Sequence, residues 1–478
     1  MSDKDGNLDA VPADQRQGWG QVRGPSVRAA ARRADRDGRA AGVVRHARAM
    51  AAACKCAALA AQAALRCSSG MASGLSLRQL RPCCTLRRIP DPSLRPRRDV
   101  SPRSGPCSRS STLQFLKSIA SVSGDLSSMT APSFILSPVS LTEYPSYWGE
   151  HPELFAACTK GADDVERMCN VLRWFIATLK GQYTSRNTSM GSEKKPLNPV
   201  LGELFLGTWP SQNDEGETTL VAEQVSHHPP ITAYHLANEK AGVSLEGHSA
   251  QKTSFTGRSI IVKQIGHAML RVKNAEGKED LYLITLPTLG IEGILWGAPY
   301  IELSGTSYIS SSTGYTATIN YAGKGYFSGK AHSFKAGIAP SAQPTHPLYS
   351  IEGEWAGVSK YKGKAPGKDT TFWDASSERR EVQVKPLAEQ GDMESRKVWA
   401  KTAEGIRAGN FDAASKDKTR IENEQRQKRK DETAAGTPHQ LEMFVHIPED
   451  QEYTKLAAAT SGIKPTTEDG YRRKPRVH

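Results

Sequence analysis

The feature that most restricts the fold is the region from Leu201 to Lys385, where apolar and polar residues alternate with a period of two. In Tyr315–Tyr321, Tyr, Ala, Ile and Tyr alternate with Thr, Thr and Asn, as in a strand with one buried face. Gly, Asn and Ser separate similar segments: Thr219–Gln224, Ile231–Leu236, Ser259–Gln264, Leu281–Leu286 and Tyr300–Leu303. Many short strands without helices between them predict an antiparallel barrel or sandwich.

Helical periodicity occurs on both sides of this β region. Residues 140–190 contain the segment Val165–Lys180, whose apolar residues lie along one side of a helix: Met168, Val171, Leu172, Phe175 and Leu179. A helical pattern returns from Met393 to Glu432, and we predict that the stretch Pro465–His478 is loose. Since no run of about eighteen apolar residues exists, we expect membrane contact to be peripheral.

The basic composition belongs to the first 110 residues. They contain 21 Lys and Arg against 8 Asp and Glu, whereas the rest of the chain contains 42 of each. They also hold six of the eight cysteines: Cys54, Cys56, Cys67, Cys83, Cys84 and Cys107. We predict a disordered Ala/Arg-rich leader, with a targeting segment or wrongly assigned coding sequence as alternatives. The total charge therefore does not indicate nucleic-acid binding by the folded part.

The segment Glu223–Pro230, EQVSHHPP, is the strongest candidate for a functional site. It leaves a predicted strand and ends at two prolines, which cannot donate hydrogen bonds to a sheet. His227 and His228 are poorly placed as metal ligands, because neighbouring residues on a strand point to opposite faces. Chemistry alone leaves three interpretations open: structural histidines, phosphate binding by two imidazole donors, and catalysis without an obvious nucleophile.

This octapeptide closely resembles the signature of the oxysterol-binding protein family, particularly its short fungal members. Further stretches agree between about Leu113 and Glu432: FLKSIASVSGDLSS, FILSPVSLTEY, SEKKPLNPVLGELF, IEGIL and GKGYFSGKAHSFKA. The resemblance implies an α+β fold in which a large antiparallel β-barrel encloses a lipid tunnel. The expected parts of residues 111–478 are a lid (111–139), N-terminal helices (140–190), a barrel (195–385) and a C-terminal helical region (386–478).

The resemblance also implies a binding site for the headgroup of phosphatidylinositol 4-phosphate at the tunnel mouth. In the family, the two signature histidines bind the phosphate, together with residues of the KPLNP segment and of a C-terminal helix. The matching residues are Lys195, Asn198, His227, His228, Lys418, Glu422 and Arg426. The last three are spaced by four residues, so a helix would present them on one face. Lys and Arg can donate to phosphate, while a carboxylate can accept from inositol hydroxyls.

A second set of residues matches the family's sterol pocket: Trp148, Gln182, Tyr183, Ser249 and Gln264. Polar groups at a tunnel floor can bind a lone hydroxyl, directly or through water. Ser249 departs from the pattern of close members, which carry Asn there, and its shorter side chain alters the expected water network. Because family members differ in whether they carry sterol or phosphatidylserine, both are candidates for the second cargo.

The segment Leu113–Met129 corresponds to the family's lid. Its apolar residues form one helical stripe, and the opposite face is mostly Ser and Gly, which suits a mobile cover or a loosely packed membrane surface. The expected lid residues are Phe115, Ile119, Leu126 and Met129.

These expectations together describe a lipid-transfer protein that exchanges a sterol and phosphatidylinositol 4-phosphate, one at a time. We expect no catalysis, cofactor, metal or nucleic acid, a monomeric state, and a cytoplasmic location with peripheral contact at Golgi and endoplasmic reticulum membranes. A phosphoinositide hydrolase using His227 and His228 and a sensor that binds lipid without transferring it are the alternatives.

Overall fold

The structure of the chain is a computed structural model. The described residues are 131–184, 194–294, 299–324, 329–363, 365, 370–464 and 468–475. The predicted lid residues Phe115, Ile119, Leu126 and Met129 lie outside them. Within the described ranges, no helix is long and apolar enough to cross a membrane.

Helices lie on both sides of the β region in sequence, as predicted. The α-helices are α1 (Pro152–Ala157), α2 (Asp164–Tyr183), α3 (Ser395–Val398), α4 (Ala400–Arg407), α5 (Phe411–Ala435) and α6 (Gln451–Ala458). Short 3-10 helices span Ser133–Ile135, Leu141–Gly149 and Leu387–Glu389.

The strands between them correspond to the segments with period-two alternation. They are β1 (Leu136–Ser140), β2 (Lys195–Leu197), β3 (Leu204–Trp209), β4 (Thr218–His227), β5 (Pro230–Asn238), β6 (Val243–Phe255), β7 (Ile260–Ile265), β8 (Ala268–Lys273), β9 (Glu279–Ile284), β10 (Thr288–Glu292), β11 (Tyr300–Ser311), β12 (Tyr315–Ala322), β13 (Ser333–Pro340), β14 (Tyr349–Glu354), β15 (Val358–Tyr361) and β16 (Thr371–Asp374). Two further strands, β17 (Phe444–Ile447) and β18 (Gly470–Arg473), follow near the C-terminus.

Strands β3 to β16 form one antiparallel sheet, which is the predicted large β-barrel. Its long strands β6 and β11 each divide their pairing between two neighbours. The first half of β6 pairs with β8 and its second half with β7, while β11 pairs with β10 near its start and with β9 near its end. Because β8 also pairs with β9 and β7 with β10, the successive strands β7–β8 and β9–β10 run side by side between β6 and β11.

Helix α2 packs into the main hydrophobic core together with the inward faces of the strands. Asp163 caps its first turn by accepting a hydrogen bond from the Glu166 amide at 2.8 Å. The predicted apolar stripe is fully buried, and so are Trp174 and Ile176 on other sides of the helix. The helix therefore has more than one buried face, which an amphipathic pattern alone does not indicate.

The C-terminal segment packs on the outer face of β4, β5 and β6. The Glu223 carboxylate of β4 accepts the Glu442 and Met443 amides at 2.8 Å each, and Phe444 is buried against the same face. Our prediction that Pro465–His478 is loose was wrong for β18, which pairs with β17. Pairing with a distant strand and an ion pair between Arg472 and Glu452 order this segment, and neither is visible in local sequence.

Glu203 connects three segments around the start of the barrel. Its buried carboxylate accepts hydrogen bonds from the Ser140 hydroxyl at 2.5 Å, the Val200 amide at 3.0 Å and the Trp399 indole at 2.9 Å. Burial raises the pKa of Glu203, while these three donors favour its charged form. One carboxylate thus ties β1, the segment after β2 and the end of α3 together.

We predict that Glu203→Ala lowers the free energy of unfolding by about 3 kcal/mol, because it leaves three buried donors without an acceptor. Urea denaturation measures the change. Glu217→Ala removes an exposed carboxylate and serves as the control, with an expected change below about 0.5 kcal/mol. Equal stability of the two variants would contradict the assigned role of Glu203.

Candidate functional site

A pocket of about 210 Å³ lies where the end of β4 faces helix α5. Its lining contains all seven residues that we predicted for the phosphoinositide headgroup: Lys195, Asn198, His227, His228, Lys418, Glu422 and Arg426. These residues come from three regions that are far apart in sequence. The lining also includes Gln425 and Arg429, which the sequence analysis missed.

The two histidines reach the pocket because the strand ends between them. His227 is the last residue of β4, so the rule that neighbouring side chains point to opposite faces no longer applies to His228. The two rings meet edge to face with centroids 4.6 Å apart. The Nδ1 atom of His227 is buried and has no hydrogen-bond partner among the described residues. Both imidazoles can therefore serve a ligand in the pocket.

Helix α5 supplies the opposite wall of the pocket. Asn410 caps the helix by accepting a hydrogen bond from the Ala413 amide at 3.1 Å. The predicted triad lies on one side, where Glu422 forms an ion pair with Lys418 and lies 3.8 Å from a guanidinium nitrogen of Arg426. The Lys418 side chain is only 10% exposed, whereas that of Arg426 is 58% exposed. Lys418 is therefore the buried end of the triad and Arg426 its outer end.

The pocket is strongly basic. Its lining contains Lys195, Lys418, Arg426 and Arg429, and Glu422 is the one carboxylate among the described lining residues. Burial, followed by the positive charge of Arg429, lowers the pKa of His227 to about 4. His227 is therefore neutral at physiological pH, and the excess positive charge lies on the surrounding Lys and Arg side chains.

The residues predicted for the sterol lie inside the barrel. Trp148 is buried, stacks on Tyr234 with ring centroids 6.3 Å apart and contacts Trp174 at 5.3 Å. Tyr183 is also buried, next to Gln182, whose side-chain amide donates to the Thr178 hydroxyl at 2.8 Å. All of these groups lie at or near helix α2.

Ser249 and Gln264 lie on strands β6 and β7, away from α2. Side chains that are an even number of residues apart on a strand lie on the same face of the sheet. Ser249 is four residues from the core residue Leu245 on β6, and Gln264 is two residues from Val262 on β7, so both face inward. Both are half-buried. Gln264 accepts a hydrogen bond at 3.4 Å from the amide of Gln251, its cross-strand partner.

The sequence analysis missed further polar groups on the inward face. Thr232 pairs with Ser249 across β5 and β6, and its hydroxyl donates to buried Gln224 at 2.6 Å. Tyr234 and Tyr321 are buried beside Tyr183, with their hydroxyls next to the side chains of Trp148 and Ser307 respectively. For Tyr321 the signal that could have identified it is its place in the alternation of β12, on the same face as the core residues Ala317 and Ile319.

Comparison with known proteins decides the family. A family model described as "Oxysterol-binding protein" matches residues 111–408. The chain belongs to the oxysterol-binding protein family. Protein KES1 of Mycosarcoma maydis is 69% identical over 368 residues, which cover 76% of this chain and 95% of the relative. Protein kes1 of Schizosaccharomyces pombe is 51% identical over 329 residues, covering 68% and 84% respectively.

Solved structures of the family share the fold. The Osh1 ORD domain in complex with cholesterol has a TM-score of 0.59 at 22% identity, and the match covers 75% of this chain and 86% of that domain. The Osh3 ORD from Saccharomyces cerevisiae, in complex with PI(4)P, has a TM-score of 0.56 at 22% identity, covering 72% and 91%. The family model ends at residue 408, so helix α5 and its basic stripe lie beyond the matched segment.

We predict that His227 titrates with an apparent pKa of about 4 in the protein without ligand. This pKa should rise towards about 7 when a phosphate dianion binds. A nearby negative charge favours imidazolium, so binding between about pH 4 and pH 6 should take up a proton. NMR of protein with labelled histidine measures this titration, with exposed His346 as the internal reference. If His227 in the protein without ligand had the pKa of a free imidazole, burial and the charge of Arg429 would not be lowering its pKa.

Proposed function

We propose that this oxysterol-binding family member transfers lipids by exchanging phosphatidylinositol 4-phosphate and a sterol in one barrel. The main support for this proposal is that all seven residues predicted for the headgroup line one basic pocket at the end of β4. The phosphorylated headgroup binds there, with both imidazoles and the Lys and Arg side chains as donors. Glu422 accepts from inositol hydroxyls, which distinguishes an inositol phosphate from a simple anion.

Strand β4 links this pocket to the barrel interior. Its inward residues Leu220, Ala222 and Gln224 precede His227 on the same strand. Three residues of extended chain span about 10 Å, so a lipid held at His227 directs its acyl chains past Gln224 into the apolar interior. The headgroup and the hydrocarbon thus occupy adjacent parts of one continuous site.

The sterol occupies the same interior with its hydroxyl towards Tyr183. Trp148 supplies an apolar face, and the buried hydroxyls of Tyr234 and Tyr321 supply donors and acceptors for the lone polar group. A ligand hydroxyl or an ordered water that adds a hydrogen bond to such a buried phenol is stabilising. Because acyl chains and sterol need the same apolar volume, only one of the two lipids binds at a time.

The transfer requires no covalent step. Burying a sterol-sized hydrocarbon is favourable by about 0.8 kcal/mol per methylene. A membrane and a protein interior offer similar apolar surroundings, so the net difference is small and loading is reversible. The described cysteines, Cys158 and Cys169, lie buried in the core, and burial raises the pKa of both thiols, to about 11 for Cys169. Neither is placed as a nucleophile for the headgroup pocket.

The proposal places the protein in the cytoplasm as a monomer that contacts the Golgi and endoplasmic reticulum peripherally. Pick-up and release occur where the pocket meets a membrane that contains phosphoinositide. The segment 111–139, with Phe115, Ile119, Leu126 and Met129, is proposed as the lid that covers either lipid.

We expect the double variant His227→Ala and His228→Ala to lose phosphatidylinositol 4-phosphate extraction from vesicles by about 100-fold or more. Two charge-assisted donors to phosphate are each worth roughly 1.5–3 kcal/mol. Sterol extraction should change less than about threefold, because neither ring lies among the core residues near Tyr183.

The complementary variant is Tyr321→Phe, which removes one hydroxyl in the barrel interior and leaves the headgroup pocket unchanged. It should weaken sterol binding and spare phosphoinositide extraction. If the histidine variant lost both lipids equally, the two residues would have a structural role. Liberation of phosphate from labelled lipid would make the protein an enzyme, and extraction without delivery to a second vesicle population would make it a sensor.

A further inference from the structure

We propose that a proton on buried His267 holds the C-terminal segment against the barrel, and that this segment becomes less tightly bound as the pH rises above neutrality. The C-terminal segment comprises the described residues that follow helix α5, which are 437–464 and 468–475. His267 immediately precedes strand β8 of the barrel, so the contact joins parts of the chain that are far apart in sequence. The contact is separate from the lipid sites and from the proposed transfer.

Both ring nitrogens of His267 face carboxylates of the C-terminal segment. Nδ1 lies 3.4 Å from a carboxylate oxygen of Glu468, and Nε2 lies 3.7 Å from a carboxylate oxygen of Asp450. The side chains of His267 and Asp450 are only 4% and 8% exposed. A neutral imidazole has a proton on one nitrogen only, so its other nitrogen would direct a lone pair at a carboxylate. The geometry therefore favours the imidazolium, which donates from both nitrogens.

The surrounding ion pairs leave negative charge beside His267. Two guanidinium groups pair with four carboxylates there: Arg271 and Arg472 with Glu246, Glu279, Asp450 and Glu452. Arg472 lies 3.8 Å from Asp450 but 2.5 Å from Glu452, so it neutralises Asp450 only in part. Among the described ion pairs, Glu468 has His267 as its one partner. A proton on His267 supplies the positive charge that these two carboxylates need.

The remaining neighbours of His267 are rings that carry no positive charge of their own at this contact. Tyr453 of α6 lies 4.5 Å from His267 between ring centroids, and His248 of β6 lies 5.1 Å away. Burial, followed by the charge of His267, lowers the pKa of His248 to about 4, so that its ring stays neutral. Beyond His248 lie Tyr471 of β18 and then exposed His446 of β17. His267 is therefore the buried imidazole of this cluster that carries the proton.

The pKa of His267 gives the direction of the pH response. Burial lowers this pKa, but the hydrogen bonds and charges of Asp450 and Glu468 outweigh burial and raise it above the ordinary value for histidine. A raised pKa stabilises the folded form fully below the ordinary pKa, and the contribution is lost as the pH rises through the raised value. The C-terminal segment is therefore held most tightly on the acidic side of neutrality and less tightly in alkaline solution.

The loss of this proton has a limited reach. At the other end of the C-terminal segment, Phe444 packs against the apolar residues Val221, Val225 and Ala233 on the outer face of β4 and β5. This packing involves no titratable group. We therefore expect α6 and β18 to open locally while the barrel remains folded.

Hydrogen exchange of the full-length protein tests the pH response. We expect the protection factors of the amides in α6 and β18 to fall at least about fivefold between about pH 7 and about pH 9. The reason is that each unit by which folding raises a pKa changes the opening equilibrium by about tenfold. Amides of strand β12 in the barrel are the internal control and should change less than about twofold.

Two variants of neighbouring residues separate the buried contact from an exposed one. Glu468→Gln keeps the shape of the side chain but removes a charged partner of His267. Asp469→Asn removes the partner of exposed His446, which lies 2.9 Å away. Glu468→Gln should lower the pKa of His267, measured by NMR, and reduce the loss of protection to less than about twofold. Asp469→Asn should leave both unchanged.

Replacement of the histidine itself gives the limiting case. His267→Gln should show low protection of α6 and β18 at both pH values. If this variant does not fold, the NMR titration of the parent protein and of Glu468→Gln decides. A pKa of His267 at or below that of a free imidazole in the parent, or an equal loss of protection in the parent and in Glu468→Gln, overturns the inference. None of these measurements requires lipid, so their outcome is independent of the proposed function.

Discussion

Repulsion among four basic side chains around one small pocket is the interaction on which this site depends. Lys195, Lys418, Arg426 and Arg429 line it with Glu422 as the one described carboxylate. Since Glu422 interacts with both Lys418 and Arg426, it cannot neutralise the set. Burial, followed by the charge of Arg429, lowers the pKa of His227 and keeps its ring neutral. In the proposed function, an anionic headgroup relieves this repulsion and supplies the negative charge that the pocket lacks.

In the proposed function, the barrel extends this electrostatic site into an interior that holds the rest of the lipid. Strand β4 runs from the apolar core to His227, while Glu203 holds the segment after β2, which contributes Asn198, against the same end of the barrel. The headgroup pocket and the interior therefore share one wall. In the proposed exchange, competition between the two lipids follows from their shared volume and needs no conformational signal between separate sites.

Much of this arrangement could be predicted from sequence. Period-two alternation indicated the strands, and the signature with its matching segments indicated all seven pocket residues. The strand β18 and the second buried face of α2 could not, because each depends on partners distant in sequence. Arg429 was missed because a spacing of four selects Arg426, although an actual helix of 3.6 residues per turn places Arg429 nearer the centre of the stripe.

Simultaneous counting of both lipids on the protein tests the central claim most directly. Protein saturated with a labelled sterol is mixed with vesicles that contain a differently labelled phosphatidylinositol 4-phosphate, and both labels are counted on the reisolated protein. The account predicts that sterol leaves as phosphoinositide binds, with a total that stays at one lipid per chain. A protein that carries both labels together, or keeps its sterol while the phosphoinositide binds, would contradict a single shared site.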